Sequence, residues 1–148
     1  MRRLLLLLAL LPLVVVSPLR GQTGRSDQRL EAFIADVAAL WREEEASSLA
    51  ELVPSSGQMV LEIGREAAGP VQERHAAAAL RTLFADRESV SIRPTRITVA
   101  GGEPLQGFGE LSWVSRSRGV TVPQMHTIYV GVVWEGRGWR IREIRVFP

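Results

Sequence analysis

The 148-residue sequence contains no cysteine, no lysine and no asparagine, and a single tyrosine. Each absence closes a class of chemistry. Without cysteine there is no disulfide, no thiol nucleophile and no thiolate metal site, and no cysteine that an export pathway could lipidate. Without lysine there is no Schiff base, no Ser-Lys dyad and no phosphate-loop lysine. The two histidines, His75 and His126, stand 51 positions apart with no HxxE or HxH spacing, so neither a metal nor any other cofactor is expected. A chain with no covalent staple must hold its fold by core packing alone. Residues 22–148 are enough for one domain burying roughly two-thirds of its unfolded surface.

What the chain does have begins at its N-terminus. Met1-Arg2-Arg3 is a short basic segment, Leu4 to Val16 is apolar apart from Pro12, and Ser17 to Gly21 turns polar. That is the layout of a secretory signal peptide, and the apolar run is short for a spanning helix, which needs about 20 residues. The expectation is a leader over 1–21, cleaved near Gly21, and a periplasmic or secreted protein. The alternative is an uncleaved anchor, the one route by which a membrane enters.

Removing the leader would reverse the sign of the net charge. The full chain carries 18 Arg and 16 acids, but residues 22–148 keep 15 Arg against the same 16 acids, a net −1. The sequence pI near 10.3 therefore makes no case for nucleic acid. Charge is divided along the chain: residues 22–86 hold 6 Arg and 11 acids, residues 87–148 hold 9 Arg and 5 acids. An acidic helical layer against a basic sheet attracts weakly through a screened field.

Helical periodicity comes first. Residues 22–28 read as a polar tether, with Asp27 placed to cap a helix whose apolar stripe is Leu30, Phe33, Ile34, Val37, Leu40 and Trp41. Ser48 and Glu51 have capping-box spacing before a short helix carrying Leu49, Leu52 and Val53. Met59, Leu61 and Ile63 alternate as a strand, 64–70 reads as a loop, and Val71 to Phe84 as a third helix rich in alanine. After Asp86 the period becomes two. Strands are expected at 89–92 and 96–100, or as one strand bent at Pro94, then at 105–115 and 122–135, and from Trp139 to the end. In that last strand Trp139 and Ile141 share a face, but so do Ile144 and Val146, which requires one extra residue near Arg142-Glu143, the mark of a β-bulge. Gly107, Gly109 and Gly131 lie inside strands, where glycine marks a bend or a close backbone approach. Arg140, Arg142 and Arg145 read as a basic, solvated strand edge.

This order gives the fold class: α+β, with N-terminal helices packed on a strongly curved antiparallel sheet in a single domain over 29–148. It resembles the nuclear transport factor 2-like, or SnoaL-like, cone. The resemblance rests on the Phe33-Ile34 and Leu40-Trp41 helix, the Leu49-to-Leu52 helix, the Met59–Ile63 strand, the Ala76–Phe84 helix and the closing Trp139-x-Ile141-x-x-Ile144-x-Val146 strand. Within that group it looks most like small exported bacterial cone domains of unknown function, through the strand Gly107-Phe108-Gly109-Glu110-Leu111 and the terminal aromatic-x-Ile strand. A cone fold hosts enzymes, binders and assembly modules alike.

The strand faces supply the candidates. Leu111, Trp113, Ile128 and Val130 form the richer aliphatic set and are expected to face the helices, with His126 on the same side near the mouth. With Trp41 they make the expected ligand-binding set for a small apolar ligand. Glu110 and Tyr129 fall on the opposite face; if the faces were inverted they would be an acid and a phenol in the pocket. The resemblance implies two enzymatic options of isomerase or cyclase type, Glu110 with Tyr129 or His126 with Asp36. Set against them is a non-enzymatic domain that binds a small apolar ligand or a protein partner, as a homodimer through the sheet.

Overall fold

The computed structural model describes residues 20–148, with side-chain surroundings from residue 25 onward. The expected leader therefore lies almost wholly outside the described residues. Among those described, no helix is long and apolar enough to cross a membrane.

Helix α1 (Arg20–Arg42) and the short α2 (Ala46–Ala50) lead into strand β1 (Gln58–Ile63). Next come β2 (Gly69–Gln72), α3 (Glu73–Asp86) and four long strands, β3 (Arg87–Gly101), β4 (Gln106–Ser117), β5 (Gln124–Glu135) and β6 (Gly138–Phe147). They form one six-stranded sheet in the order β2-β1-β6-β5-β4-β3. Every neighbouring pair is antiparallel except β1 with β6, which run parallel. The sheet is thus mixed rather than wholly antiparallel, because the long excursion from β1 through α3 and the meander returns the chain to the far side of β1. It also corrects the reading of Arg140, Arg142 and Arg145 as an edge. Their strand β6 is interior, flanked by β1 and β5, and the true edges are β2 and β3. Edge strand β3 instead carries exposed Arg93, Pro94 and Arg96 and three register shifts, devices that blunt an edge against pairing with another chain.

Helix α1 buries the stripe its sequence sets out: Leu30, Ile34, Val37 and Trp41 are inaccessible to solvent, and Phe33 and Leu40 pack beside them. Asp27 lies inside this helix rather than at its start. The capping box at Ser48 is not formed either. Ser48 is internal to α2, which begins after Glu45 and has no side-chain cap hydrogen bond. Val71 belongs to β2, paired with Met59, so the third helix starts two residues later than its alanine-rich pattern indicates. Ala76, Ala77, Leu80, Leu83 and Phe84 form its buried face.

Register shifts on β3 and β6 curve the sheet. β3 is a single strand whose register shifts between Pro94 and Arg96. On β6, Glu143 pairs with Gly131 and Ile141 with Val132, leaving Arg142 as the extra residue of the bulge. On the concave side the approach of α1 is set by two glycines of β4. A Cβ on Gly107 would lie 2.8 Å from Leu30 Cδ2 and 2.9 Å from the Thr98 carbonyl oxygen, and one on Gly109 would lie 2.7 Å from Ile34 Cδ1. The helix is seated directly on bare backbone, and the side chains that result are core.

Candidate functional site

Burial settles the two faces of the sheet. Leu111, Trp113, Ile128 and Val130 are fully buried against the helices, and His126 follows on the same side at 9% exposure. Trp41 reaches them from α1, edge-on to Trp113 with ring centres 5.5 Å apart and edge-on to Phe84 at 5.2 Å. The expected ligand-binding set is therefore brought together as one tightly packed cluster. The Trp41 indole N–H is buried there with no hydrogen-bond acceptor among the described residues. A cleft of about 750 Å³ lies elsewhere, bordered by Glu51, Val53, Pro54, Ser55, Glu135 and Arg140, residues outside that set.

The catalytic candidates are not assembled. Glu110 and Tyr129 stand directly opposite each other on β4 and β5, but on the outer face, so the inverted arrangement is ruled out. There Tyr129 stacks on Phe108 at 5.5 Å, and Glu110 lies 4.0 Å from Arg96. Asp36 is exposed on α1 and is not joined to His126. His75 is exposed at the start of α3. No group of three or more His, Asp or Glu among the described residues could hold a metal.

His126 has a defined environment at one end of the cone. Its Nε2 lies 3.1 Å from Arg87 Nη1. A guanidinium only donates, so a hydrogen bond here requires Nε2 to be the accepting nitrogen of a neutral imidazole. A backbone hydrogen bond with Phe147 holds the ring, and Trp113 lies against it with centres 5.2 Å apart. Burial, and secondly the Arg87 charge, push the imidazole below its ordinary pKa, only partly offset by the Phe147 bond. The same Arg87 Nη1 lies 2.9 Å from Gln124 Oε1 and 3.4 Å from Ser115 Oγ. Behind this group, Trp113 Nε1 donates to Ser89 Oγ at 3.0 Å, and the Ser89 amide donates to Glu44 Oε1 at 3.3 Å. A His whose lone pair is occupied by a guanidinium is a poor general base until that donor moves away.

Sequence pattern reaches part of this group: Gln124 and Ser115 each lie two residues from a candidate on the buried face. Ser89 and Arg87 have no such signal; Arg87 stands where α3 passes into β3, 39 residues from His126, and no local spacing links them.

The sequence matches no family model and no curated protein. Solved structures do match in shape. One, assigned provisionally as a scytalone dehydratase of Novosphingobium aromaticivorans, has a TM-score of 0.69 at 10% identity, covering 86% of this chain and 87% of its own. A ketosteroid isomerase-like protein of Erwinia carotovora atroseptica scores 0.65 at 11% identity, covering 82% and 94%. A DUF4783 family protein of Bacteroides uniformis scores 0.59 at 13% identity, covering 75% and 92%. Likeness at such identity speaks for architecture and not for chemistry. Helices lying on one face of a curved sheet, with these neighbours, make the chain an α+β domain of the nuclear transport factor 2-like cone fold.

Proposed function

We propose that this is an exported, non-catalytic binding domain that works as a homodimer, with a second copy held against the outer face of the sheet. The observation that carries the reading is one cross-strand row. From β3 to β1 it runs Arg96, Glu110, Tyr129, Arg145, Glu62. Its charges are plus, minus, neutral, plus, minus, and so change sign about Tyr129. A second sheet laid face to face, related by a twofold axis along β5, reverses that order. Arg96 then meets Glu62 of the second copy, Glu110 meets Arg145, and Tyr129 meets Tyr129. An isologous interface needs this self-complementarity. Within one copy the row already forms two ion pairs, Arg96 with Glu110 at 4.0 Å and Arg145 with Glu62 at 3.3 Å, and dimerisation would join them into alternating networks.

The same face offers apolar contact. Phe108 stacks on Tyr129, with the Arg96 guanidinium 5.3 Å from the Phe108 ring centre. Met125 is 69% exposed and Phe147 38% exposed. Aromatic and arginine side chains in this mixture are the usual anchors of protein interfaces. Export is the reading that the leader sequence supports.

The enzymatic reading draws on the names of the dehydratase and isomerase-like neighbours. Against it, Glu110 and Tyr129 point away from the interior, Asp36 is exposed, and Arg87 occupies the lone pair of His126.

Tyr129→Asp tests the proposal by placing a carboxylate at the centre of the face. Sedimentation of the full chain, expressed with its own leader, should show a dimer that the substitution weakens by about 2 kcal/mol or more, roughly thirtyfold in dissociation constant. An unchanged oligomeric mass would count against it.

A further inference from the structure

The geometry points to a binding site for a small oxyanion, a carboxylate or phosphate group, at Arg87 beside His126. Arg87 is half-buried, and its contacts among the described residues are all neutral: Gln124 Oε1 at 2.9 Å, His126 Nε2 at 3.1 Å and Ser115 Oγ at 3.4 Å, every one of them to Nη1. Nε and Nη2 have no protein acceptor among the described residues, and they form one edge of the planar fork that fits two oxygens of a carboxylate or phosphate.

The nearby carboxylates are committed elsewhere. Glu88, next in sequence, is held by Arg116 Nε at 2.9 Å and Nη2 at 3.0 Å. Glu44 accepts from Arg118 Nη2 at 3.0 Å and from the Ser89 amide. Arg96, Arg116, Arg118 and Arg145 each have a glutamate, whereas this half-buried guanidinium has none. A partly desolvated charge is costly unless paired, so an anion is its natural complement.

The surroundings would orient such a ligand. Gln124 and Ser115 fix the guanidinium from β5 and β4, and His126 is the titratable group against it. Arg87 is the charged group facing that imidazole; β4 contributes Trp113 and Ser115, and β6 the Phe147 backbone. An anion on the fork would offset the Arg87 charge, making protonation of His126 easier and adding a second donor.

The probes are inorganic phosphate and acetate, with chloride at matched ionic strength as the control. The imidazole resonances of His126 are followed by NMR in the full chain, and those of exposed His75 report bulk salt effects. The expected result is a saturable upward shift of the His126 titration midpoint with phosphate, acetate or both, and not with chloride. Arg87→Gln should abolish it. Arg87→Lys, which keeps the charge without the fork, should weaken binding at least severalfold and guards against a folding defect. A response to one probe alone distinguishes a phosphate site from a carboxylate site. No saturable shift with either, or the same shift with chloride, would overturn the assignment.

Discussion

Ile34 occupies the space that a side chain at position 109 would need. A Cβ on Gly109 would stand 2.7 Å from Ile34 Cδ1 and 3.0 Å from both Cγ1 and Cγ2. Three atoms of one branched side chain surround the point, so a rotamer change alone does not clear it. Gly109→Ala should therefore push α1 off β4 and destabilise the fold by about 1–3 kcal/mol, the usual cost of overpacking. A lower denaturant midpoint with an unchanged slope is the expected result. A midpoint at or above that of the parent would mean that α1 is not seated on β4 as described.

His126 predicts the sign of a pH effect. Burial, and then Arg87, hold its folded pKa below the unfolded value of about 6.5. The unfolded chain thus binds this proton more readily. The contribution of His126 is fully present above the unfolded pKa and is lost as pH falls from there through the depressed folded value. Thermal melts should decline across that window, and His126→Gln should flatten that part of the decline. An NMR titration midpoint at or above 6.5 in low-salt buffer without phosphate or acetate would contradict the assignment.

Electrostatics on the outer face give a third test. Glu110 lies 4.0 Å from Arg96 within one copy and is proposed to meet Arg145 of another. Glu110→Arg would gather like charges from both sides, which costs several kcal/mol when they are juxtaposed. The variant should sediment as monomer at low salt and recover part of its association as salt screens the repulsion. A dimer of unchanged strength at low salt would remove the proposed row from the interface.

Much of this architecture was legible in local sequence. The α1 stripe, the inward set of Leu111, Trp113, Ile128 and Val130 and the extra residue near Arg142-Glu143 follow from periodicity, because a side chain's face is set by its immediate neighbours; Pro94 marks the bend but leaves one strand or two open, and the pairing with β4 makes it one. The rest depends on distant partners. The first half of β2 reads as a loop because Gly69 and Pro70 are turn residues, and its second half reads as helix; pairing with β1, Gly69 with Leu61 and Pro70 with Val60, makes it strand. The parallel register of β1 on β6 joins Val60 to Glu143, a relation that no local window contains. The charge order of the outer row appears only once five strands are in register, and the link between Arg87 and His126 only once β3, β4 and β5 are side by side.

The most direct test of the central claim uses the absence of cysteine. Thr127 is exposed on β5, the strand proposed to lie along the twofold axis, two residues from Tyr129. Packed sheets lie about 10 Å apart, beyond the roughly 7 Å that a disulfide spans between Cα atoms. The measurement is therefore cross-linking of Thr127→Cys with a short bis-maleimide, beside Asp36→Cys on the exposed face of α1. The account predicts efficient capture of a covalent dimer through position 127 and none through position 36. No dimer at 127, or equal capture at both positions, would contradict it.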